Sequence, residues 1–260
     1  MNRILALIQA AHGQCRFTYV STTQVKLAPY NGCNLNINGN VEQIPAAGVT
    51  LSNSGLSSNT VYYIYAYMNS GTMTLEASAT GHTTANEGIE VKTGDASRTL
   101  VGMVWTNGSS QFEDSASRIG VLSFFNRRRR HAIAWFTAIR STSNTTATEL
   151  HSEIRVPFII WAGEYVRCRA NGGAYVLAAG PGYLYVGVDT NSQSDSGGGL
   201  NVVGSQLPFS GEYELSGLTE NASHFATIYG IAASGGSVNM TGNATQAAGQ
   251  RTNLSVTMMG

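Results

Sequence analysis

The run Thr60-Val-Tyr-Tyr-Ile-Tyr-Ala-Tyr-Met68 decides the fold class of this chain. Most of its residues are β-branched or aromatic, which favours a strand, and polar turn residues stand on both sides of it. The next run, Thr72–Ala77, alternates apolar and polar residues, so one of its faces is expected to be buried. The Asn69-Ser-Gly71 link can supply a positive φ at its glycine, and the two runs therefore predict a β-hairpin.

The same pattern extends from Phe17 to Asn126, where short alternating runs are separated by Gly, Asn and Ser turns. The other strands predicted there are Leu35–Gly39 paired with Val41–Pro45, Val49–Leu51, Gly88–Thr93, Arg98–Trp105 and Ile119–Asn126. About seven strands in roughly 110 residues are typical of a small sandwich or barrel.

The second half of the chain, from Ala132 onward, holds about eight further strand-like runs joined by long polar loops. These runs are Ile133–Ile139, Ser152–Trp161, Glu164–Arg169, Ala174–Leu177, Gly182–Val188, Gly211–Leu215, His224–Tyr229 and Leu254–Met258. The pattern predicts a jelly-roll-like sandwich. The loops 189–199 and 232–252 are too polar to be buried and are expected to form its variable surface.

The sequence thus predicts an all-β protein with two β-sandwich or jelly-roll-like domains and a short N-terminal helical arm. The arm covers residues 1–15, the first domain 16–126, an Arg-rich connector 127–131 and the second domain 132–260. The arm is predicted to be helical because Ile4, Leu5 and Ile8 share one face at helical spacing. That face is expected to dock on another subunit or on the chain's own domain.

Charge and hydropathy exclude two classes of partner. The chain has 15 basic and 15 acidic side chains and a net charge of +0, whereas a nucleic-acid-binding domain carries a broad basic patch. No apolar run approaches the roughly 20 residues that span a bilayer, so we expect a soluble protein without a membrane partner. Only 12% of the residues are charged, and a weakly charged, Ser/Thr-rich surface favours self-association.

The cysteines are Cys15, Cys33 and Cys168, with no spacing typical of a metal site. One interpretation is three reduced, partly buried thiols, since free cysteine is commonly buried. The alternative is a disulfide to a neighbouring subunit in an extracellular particle. Cys15 is the best candidate for that bond because it is expected in a mobile N-terminal arm.

Motifs for catalysis or metal binding are sparse. The five histidines form no His-Glu-x-x-His pattern, and no Gly-x-Ser-x-Gly elbow is present. The run Asp189–Asp195 spaces oxygen side chains as a Ca²⁺ loop does, but Ser194 stands where glycine is expected and Leu200 where the bidentate Glu is expected. We therefore expect no enzymatic activity, no cofactor and no metal.

A single charge run, Arg127-Arg-Arg-Arg130, stands at the junction of the two halves. Arginines in this number can bind phosphate or an acidic protein surface through bidentate contacts. The alternative is an exposed connector whose arginines stack on aromatic rings or pair with carboxylates across a domain or subunit boundary. We favour the second interpretation because the run is not part of a broader basic patch.

Aromatic side chains in the second half are candidates for binding a host surface glycan. Trp161, Tyr183, Tyr185 and Tyr229 could each offer a ring on which a sugar stacks. A glycan depolymerase would instead need two carboxylates in a groove, about 5 to 10 Å apart. No pair in the sequence stands out for that role. Glu212 and Glu214 share a strand face and could line a glycan site, but outward-facing solvation is the commoner explanation of such a pair.

Several ordered motifs in the first half carry a resemblance to a known family. They are Lys26–Gly32, Asn38-Gly39 with Ile44-Pro45, Tyr62–Tyr67, Met73–Ser78 with His82, Lys92–Met103 and Phe124–Arg128. Together they resemble a β-rich module of structural proteins of tailed bacteriophages and prophages, over residues 16–128. In that family the module often accompanies fibre or tail-appendage segments.

The resemblance implies a non-enzymatic virion component, made in the bacterial host cytoplasm. The chain has no collagen-like Gly-x-y stalk, which favours a compact decoration, neck appendage or fibre tip over a long fibre. Its expected partners are other virion proteins of the capsid, neck or tail. By analogy with viral knobs, we also expect self-association as a homotrimer.

Overall fold

The computed structural model describes residues 12–85, 88–177, 180–192, 197–201, 203–233, 235–242 and 251–258. Within these ranges the chain forms 23 β-strands and one turn of 3-10 helix, and no α-helix. The predicted all-β class is therefore confirmed. The predicted helical arm, with Ile4, Leu5 and Ile8, lies outside the described residues.

The chain divides into two compact units. Unit 1 comprises the described residues up to Ser115 together with 119–128 and 219–223. Unit 2 comprises the described residues of 116–118, 129–218 and 224–260. The change from unit 1 to unit 2 thus falls inside the arginine run, between Arg128 and Arg129.

Unit 1 is built from three antiparallel sheets. Its strands are β1 Cys15–Ser21, β2 Gln24–Pro29, β3 Asn34–Ile37, β4 Asn40–Gln43, β5 Val49–Ser52, β6 Val61–Asn69, β7 Thr72–Ser78, β8 His82–Thr84, β9 Glu90–Lys92, β10 Asp95–Trp105 and β11 Val121–Ser123. The strand orders are β1-β2-β5, β7-β6-β10-β9-β8 with β11 beside β10, and β3-β4. Their inner faces enclose a core around Phe17, Leu27, Ile64, Val101 and Phe112.

The predicted hairpin of β6 and β7 is present, and its turn is tighter than the sequence indicated. Asn69 pairs directly with Thr72, so the loop has two residues. Ser70 and Gly71 have φ values of 50° and 82°, as a two-residue turn between twisted strands requires. The turn between β3 and β4 repeats this geometry at Asn38 and Gly39, with φ values of 52° and 76°.

Unit 2 is a two-sheet sandwich. Its strands are β12 Arg130–Trp135, β13 Arg140–Thr142, β14 Thr148–Glu149, β15 Val156–Phe158, β16 Val166–Leu177, β17 Gly182–Val188, β18 Asn191–Ser192, β19 Gly198–Leu200, β20 Leu207–Leu215, β21 His224–Ala232, β22 Ser237–Met240 and β23 Asn253–Met258. The 3-10 turn spans Ser152–Ile154. One sheet has the order β12-β23-β16-β22-β13 with β20 beside β16. The other has the order β14-β21-β17-β18, with β15 beside β21 and β19 beside β17.

The sandwich core lies between β17 and β21 on one side and β16, β22 and β23 on the other. Leu184, Val186 and Ile228 point inward from the first sheet, and Val238 and Val256 are buried on strands of the second. Because side chains alternate along a strand, the residues between the inward ones face away from the core. This alternation determines which aromatic side chains of β17 and β21 lie on the outer face.

Candidate functional site

Three of the four predicted glycan contacts lie on that outer face. Tyr183 and Tyr185 alternate along β17 with the fully buried Leu184 and Val186. Residues directly opposite each other in an antiparallel pair project on the same side of a sheet. Tyr185 is opposite Tyr229 of β21, so the three tyrosines form one group. We call Tyr183, Tyr185 and Tyr229 the tyrosine face.

The rings of the tyrosine face are held in definite positions. Tyr183 and Tyr185 lie parallel, with ring planes 2° apart and centroids 6.4 Å apart. The Tyr229 hydroxyl donates to the main-chain carbonyl of Asp189. Burial raises the pKa of Tyr185 and of Tyr229, so both hydroxyls are protonated at neutral pH. Tyr229 is only 8% exposed, so the rings that this face offers to solvent are those of Tyr183 and Tyr185, which are partly exposed.

An ion pair borders the tyrosine face. Glu149, opposite Tyr229 on β14, accepts two hydrogen bonds from the Arg155 guanidinium, at 2.7 and 2.6 Å. Glu149 also accepts a hydrogen bond of 2.6 Å from the Thr227 hydroxyl. Burial alone would raise the pKa of Glu149, but the hydrogen bonds from Arg155 and Thr227 outweigh burial and lower it. The guanidinium also lies over the Phe225 ring, 4.2 Å from its centroid.

This arrangement suits a neutral polar ring better than an ion. Stacked aromatic rings bind the C–H faces of a flat ligand, and hydroxyl groups at the edge supply hydrogen bonds. The charges beside them are neutralised against each other, since the Glu149 carboxylate is paired with Arg155. A pyranose is a ligand of this type.

Trp161 does not offer a stacking surface. It lies in the segment after β15 and is only 3% exposed. A sugar needs an open ring face, and burial removes it from solvent. Its large ring contributes to the packing of unit 2, as is usual for an indole in a core.

Glu212 and Glu214, the carboxylates that could line a glycan site, lie on the outer face of the other sheet of unit 2. Arg169 is paired with Glu212 at 2.9 Å, and Arg167 is paired with Glu214. These four side chains form a cross-strand ladder between β16 and β20. All four are partly or largely exposed on a strand surface, whereas glycoside hydrolysis uses two carboxylates that flank a bound sugar in a groove.

The four arginines of the connector differ in surroundings. Arg127 donates through Nε to the carbonyl of Phe124 at 3.0 Å, and its guanidinium lies 5.0 Å from the centroid of the Phe124 ring. Arg128 and Arg129 are exposed, and Arg130 opens β12 opposite Met258. The stacking that the sequence suggested thus occurs at Arg127. Intersubunit contacts of this run stay a prediction.

The expectation that Cys15 lies in a mobile N-terminal arm is wrong. Cys15 is the first residue of β1, pairs with Pro29 and is 0% exposed in the core of unit 1. Phe17, two residues further along β1, points into the same core. Burial raises the pKa of the Cys15 thiol to about 12. A bond from this thiol to another subunit would require β1 to open.

Sequence reasoning missed a second cluster, in unit 1. His82 Nδ1 lies 2.5 Å from Glu90 Oε2, and His82 Nε2 lies 2.9 Å from Glu220 Oε1. The Tyr63 hydroxyl donates to the same Glu220 oxygen at 3.0 Å. Burial, and after it the charge of Glu220, raises the pKa of Tyr63.

This cluster is suited to structure more than to catalysis. A catalytic imidazole keeps one nitrogen for the reacting group, whereas both nitrogens of His82 face carboxylates. The proximity of His82 and Glu90 follows from the β8–β9 hairpin, in which they lie eight residues apart. Glu220 is 130 residues beyond Glu90, and no local pattern indicates that it joins them. The cluster fixes the segment 219–223 within unit 1.

The residues that the structure describes contain no group of three His, Cys, Asp or Glu side chains placed to hold a metal ion. Among the same residues, no helix has the length and apolarity to cross a bilayer.

Comparisons with known proteins give weak matches only. No protein-family model matches the chain, and no curated protein matches it. A mutant VP2 protein of infectious bursal disease virus, in derived T=1 particles, is 10% identical with a TM-score of 0.30 over 99% of this chain and 79% of that one. Structures of the Gx and Gt strains of the same virus are 10% and 11% identical, with TM-scores of 0.22 and 0.27. They cover 94% and 98% of this chain and 70% and 80% of theirs. Likeness at this level carries no argument about function.

Proposed function

We propose that this protein is a non-enzymatic structural component of a tailed-phage virion, as a fibre tip, neck appendage or capsid decoration. The observation that carries the proposal is the ordered set of motifs from Lys26 to Arg128 that resembles the phage module. These motifs fall within unit 1, an all-β body with its own core. The fold provides strands and tight turns, which is what a passive structural part requires.

The proposed action is mechanical. Unit 1, with the N-terminal segment, attaches to other virion proteins, and unit 2 presents its loops and outer faces to the exterior. Three copies associate as a homotrimer, which covers sheet edges that few charges protect. The edge strands in question include β5 and β7 of unit 1 and β13 of unit 2.

The oligomer is tested by the native mass of the purified full-length chain, measured by light scattering during size exclusion. A particle with three times the chain mass of 27.5 kDa is expected. A monomer at micromolar concentration would contradict the trimer.

The virion location needs a separate experiment. Antibodies against the purified chain, used on phage particles induced from a host that encodes it, should label one defined position on each particle. Particles without label, from lysates that contain the free protein, would show that the chain is not part of the virion.

A second function, recognition of a host surface glycan, is favoured by the tyrosine face. The parallel, partly exposed rings of Tyr183 and Tyr185 form an aromatic platform on the outer face of β17. A glycan array probed with the full-length chain should show binding to neutral sugars. Release of reducing ends from host capsule would instead point to a depolymerase and contradict the non-enzymatic role.

A further inference from the structure

A cleft of about 260 Å³ opens in unit 1 beside the turn between β3 and β4. Its lining includes the amide residues Asn36 and Asn38 and the apolar residues Ile89, Val91 and Ala96. Pockets for drug-sized ligands usually have volumes of about 300 to 1,000 Å³, so this cleft fits a smaller molecule. Among the described residues, it shares no lining residue with the tyrosine face or the His82 cluster.

The side chain of Asn36 faces the cleft because of the alternation along β3. Leu35 and Ile37, on either side of it, are buried in the core of unit 1. Neighbouring side chains of a strand point to opposite faces, so the Asn36 side chain points away from that core. The Thr99 hydroxyl of β10 donates to the Asn36 main-chain carbonyl at 2.7 Å, and Thr99 is paired with Val91 of β9. These contacts hold the Asn36 amide in the same cleft as the apolar side chain of Val91.

The amide oxygen of Asn36 is the unusual feature of this cleft. The residue is only 7% exposed, and its Oδ1 is buried without a hydrogen-bond partner in the described part of the chain. Its main-chain N–H is satisfied, because it donates to His12 Nδ1 at 3.0 Å. Buried side-chain oxygens are almost always paired, and an unpaired one costs stability. A ligand that donates one hydrogen bond inside the cleft would satisfy this oxygen.

The chemistry of the cleft favours a donor joined to a short apolar group. Asn36 Oδ1 can only accept, so the ligand atom beside it must carry a hydrogen. Ile89 and Val91 in the same lining favour an apolar group next to that donor. An acetamido group has both features, because a planar trans amide places its N–H and its methyl group on one edge. Its carbonyl oxygen lies on the opposite edge, where water or the exposed Asn38 can donate to it.

We propose that this cleft binds the acetamido group of a small ligand. The ligand N–H donates to Asn36 Oδ1, and the methyl group packs against Ile89 and Val91. Both N-acetylated amino sugars and N-acetylated amino acids carry this group, and the remainder of either extends past the exposed Asn38. The proposal depends neither on the virion role nor on the tyrosine face.

Ligand-observed NMR with the full-length chain tests the proposal. The probes are N-acetylglucosamine and N-acetylalaninamide, and the matched controls are glucose and lactamide, in which a hydroxyl group replaces the acetamido group. Saturation transfer from the protein should be strongest at the acetyl methyl group. At least one probe should bind about 5-fold or more tightly than its control, because the control lacks the amide donor and its methyl group.

The outcomes also identify the source of the group. Specific binding of the sugar, of the amino-acid derivative or of both would support the proposal and show which compounds carry the ligand. Equal affinity of each probe and its control would overturn it, because the acetamido group would then not be recognised. No saturable binding of either probe would overturn it as well.

Methyl NMR of the labelled protein locates the bound ligand. The methyl resonances of Ile89 and Val91 should shift as the probe saturates, whereas those of Val25, which is fully buried in the core of unit 1, should not. Binding without a shift at Ile89 or Val91 would place the ligand elsewhere and overturn the proposed site.

Two variants test the named contacts. Asn36→Leu removes the unpaired oxygen at similar side-chain size, so it should leave the thermal midpoint nearly unchanged and weaken binding about 5-fold. Ala96→Phe fills the cleft from an exposed position and should abolish binding without altering the buried residues. Ala79→Phe is the matched control, exposed and outside the lining of this cleft, and should bind as the original chain does. Unchanged affinity in Ala96→Phe would overturn the proposal even if Asn36→Leu fails to fold.

Discussion

The rings of Tyr183 and Tyr185 lie parallel, with their planes 2° apart and their centroids 6.4 Å apart. Residues two apart on a strand lie about 6.6 Å apart on the same face, so the spacing of these rings follows from the strand itself. If the tyrosine face binds sugar, Tyr185→Ala should weaken binding about 5-fold, since loss of one stacked ring costs about 1 kcal/mol. Calorimetric titration with the best array glycan measures the change.

The control for this prediction is Tyr165→Ala. Tyr165 is 63% exposed and precedes β16 in the same unit, so its loss should leave the affinity unchanged. Equal weakening by both variants, or by neither, would contradict a specific role of the tyrosine face.

The pH dependence of unit 1 should contain a contribution from His12. Burial lowers the pKa of His12 from 6.5, and its neutral ring accepts from the Asn36 N–H. The unfolded chain binds the proton more readily than the folded one, so this stabilisation is complete above pH 6.5 and is lost as the pH falls through the folded pKa. Urea unfolding between pH 7.5 and 5 measures it.

His12→Gln separates this contribution from other titrations. The glutamine amide can still accept a hydrogen bond but does not titrate, so the variant should lose less stability than the original chain over this range. The same slope in both proteins would show that His12 does not cause it. A ring-proton titration by NMR gives the pKa directly.

Gly102 should tolerate no side chain. A Cβ there would lie 2.4 Å from the Phe17 ring and 2.9 Å from the Leu122 carbonyl oxygen. Both distances are shorter than a Cβ keeps from non-bonded heavy atoms in folded proteins. Gly102→Ala should lower the free energy of unfolding of unit 1 by about 2 kcal/mol, as overpacking of a core does. Gly81→Ala is the matched control, because its Cβ would meet only one atom, at 4.0 Å. Chemical denaturation of the two variants compares them.

An ion pair in unit 2 should make the stability of this unit depend on pH in the acid range. Hydrogen bonding from Arg140 is the main cause that lowers the pKa of Glu153 to about 2, and Thr137 adds to it. This stabilisation is present above pH 4.5, the usual value, and is lost as the pH falls toward 2. Glu153→Gln should therefore cost about 1 kcal/mol at pH 7, because the pair is partly screened by solvent, and little at pH 2.

Arg140→Gln provides the test of the cause. If the arginine holds the Glu153 pKa down, this variant should flatten the acid limb of the stability curve as Glu153→Gln does, and the double variant should add little. Additive losses would show that the two side chains act independently.

The thiols should differ in reactivity. Cys15 and Cys168 are buried, and burial raises the pKa of each to about 12, whereas Cys33 is partly exposed. A thiol reagent should modify Cys33 first in the native protein and all three only after denaturation. Rapid labelling of native Cys15 would contradict its burial. A dimer band that disappears on reduction and in the Cys15→Ser variant would support the hypothesis of an intersubunit disulfide.

The sequence by itself determined the features that depend on local periodicity. Alternation of apolar and polar residues predicted the all-β class and the hairpin of β6 and β7. The same period of two places Tyr183 and Tyr185 on one face, since residues two apart on a strand always share a side. Turn residues such as Asn38 and Gly39 also mark their hairpin directly, through the positive φ values that they tolerate.

Only the tertiary structure decided which distant segments meet. Tyr229 joins Tyr185 through the register of β17 and β21, Glu220 reaches His82, and Trp161 and Cys15 are buried although the sequence suggested exposed roles for them. Strand register and burial depend on the packing of segments far apart in the chain, and a local pattern is compatible with several such pairings. The physical reason is that the alternation of residues indicates only which side of a strand is apolar. Which distant strands then come into contact depends on the free energy of packing the whole core.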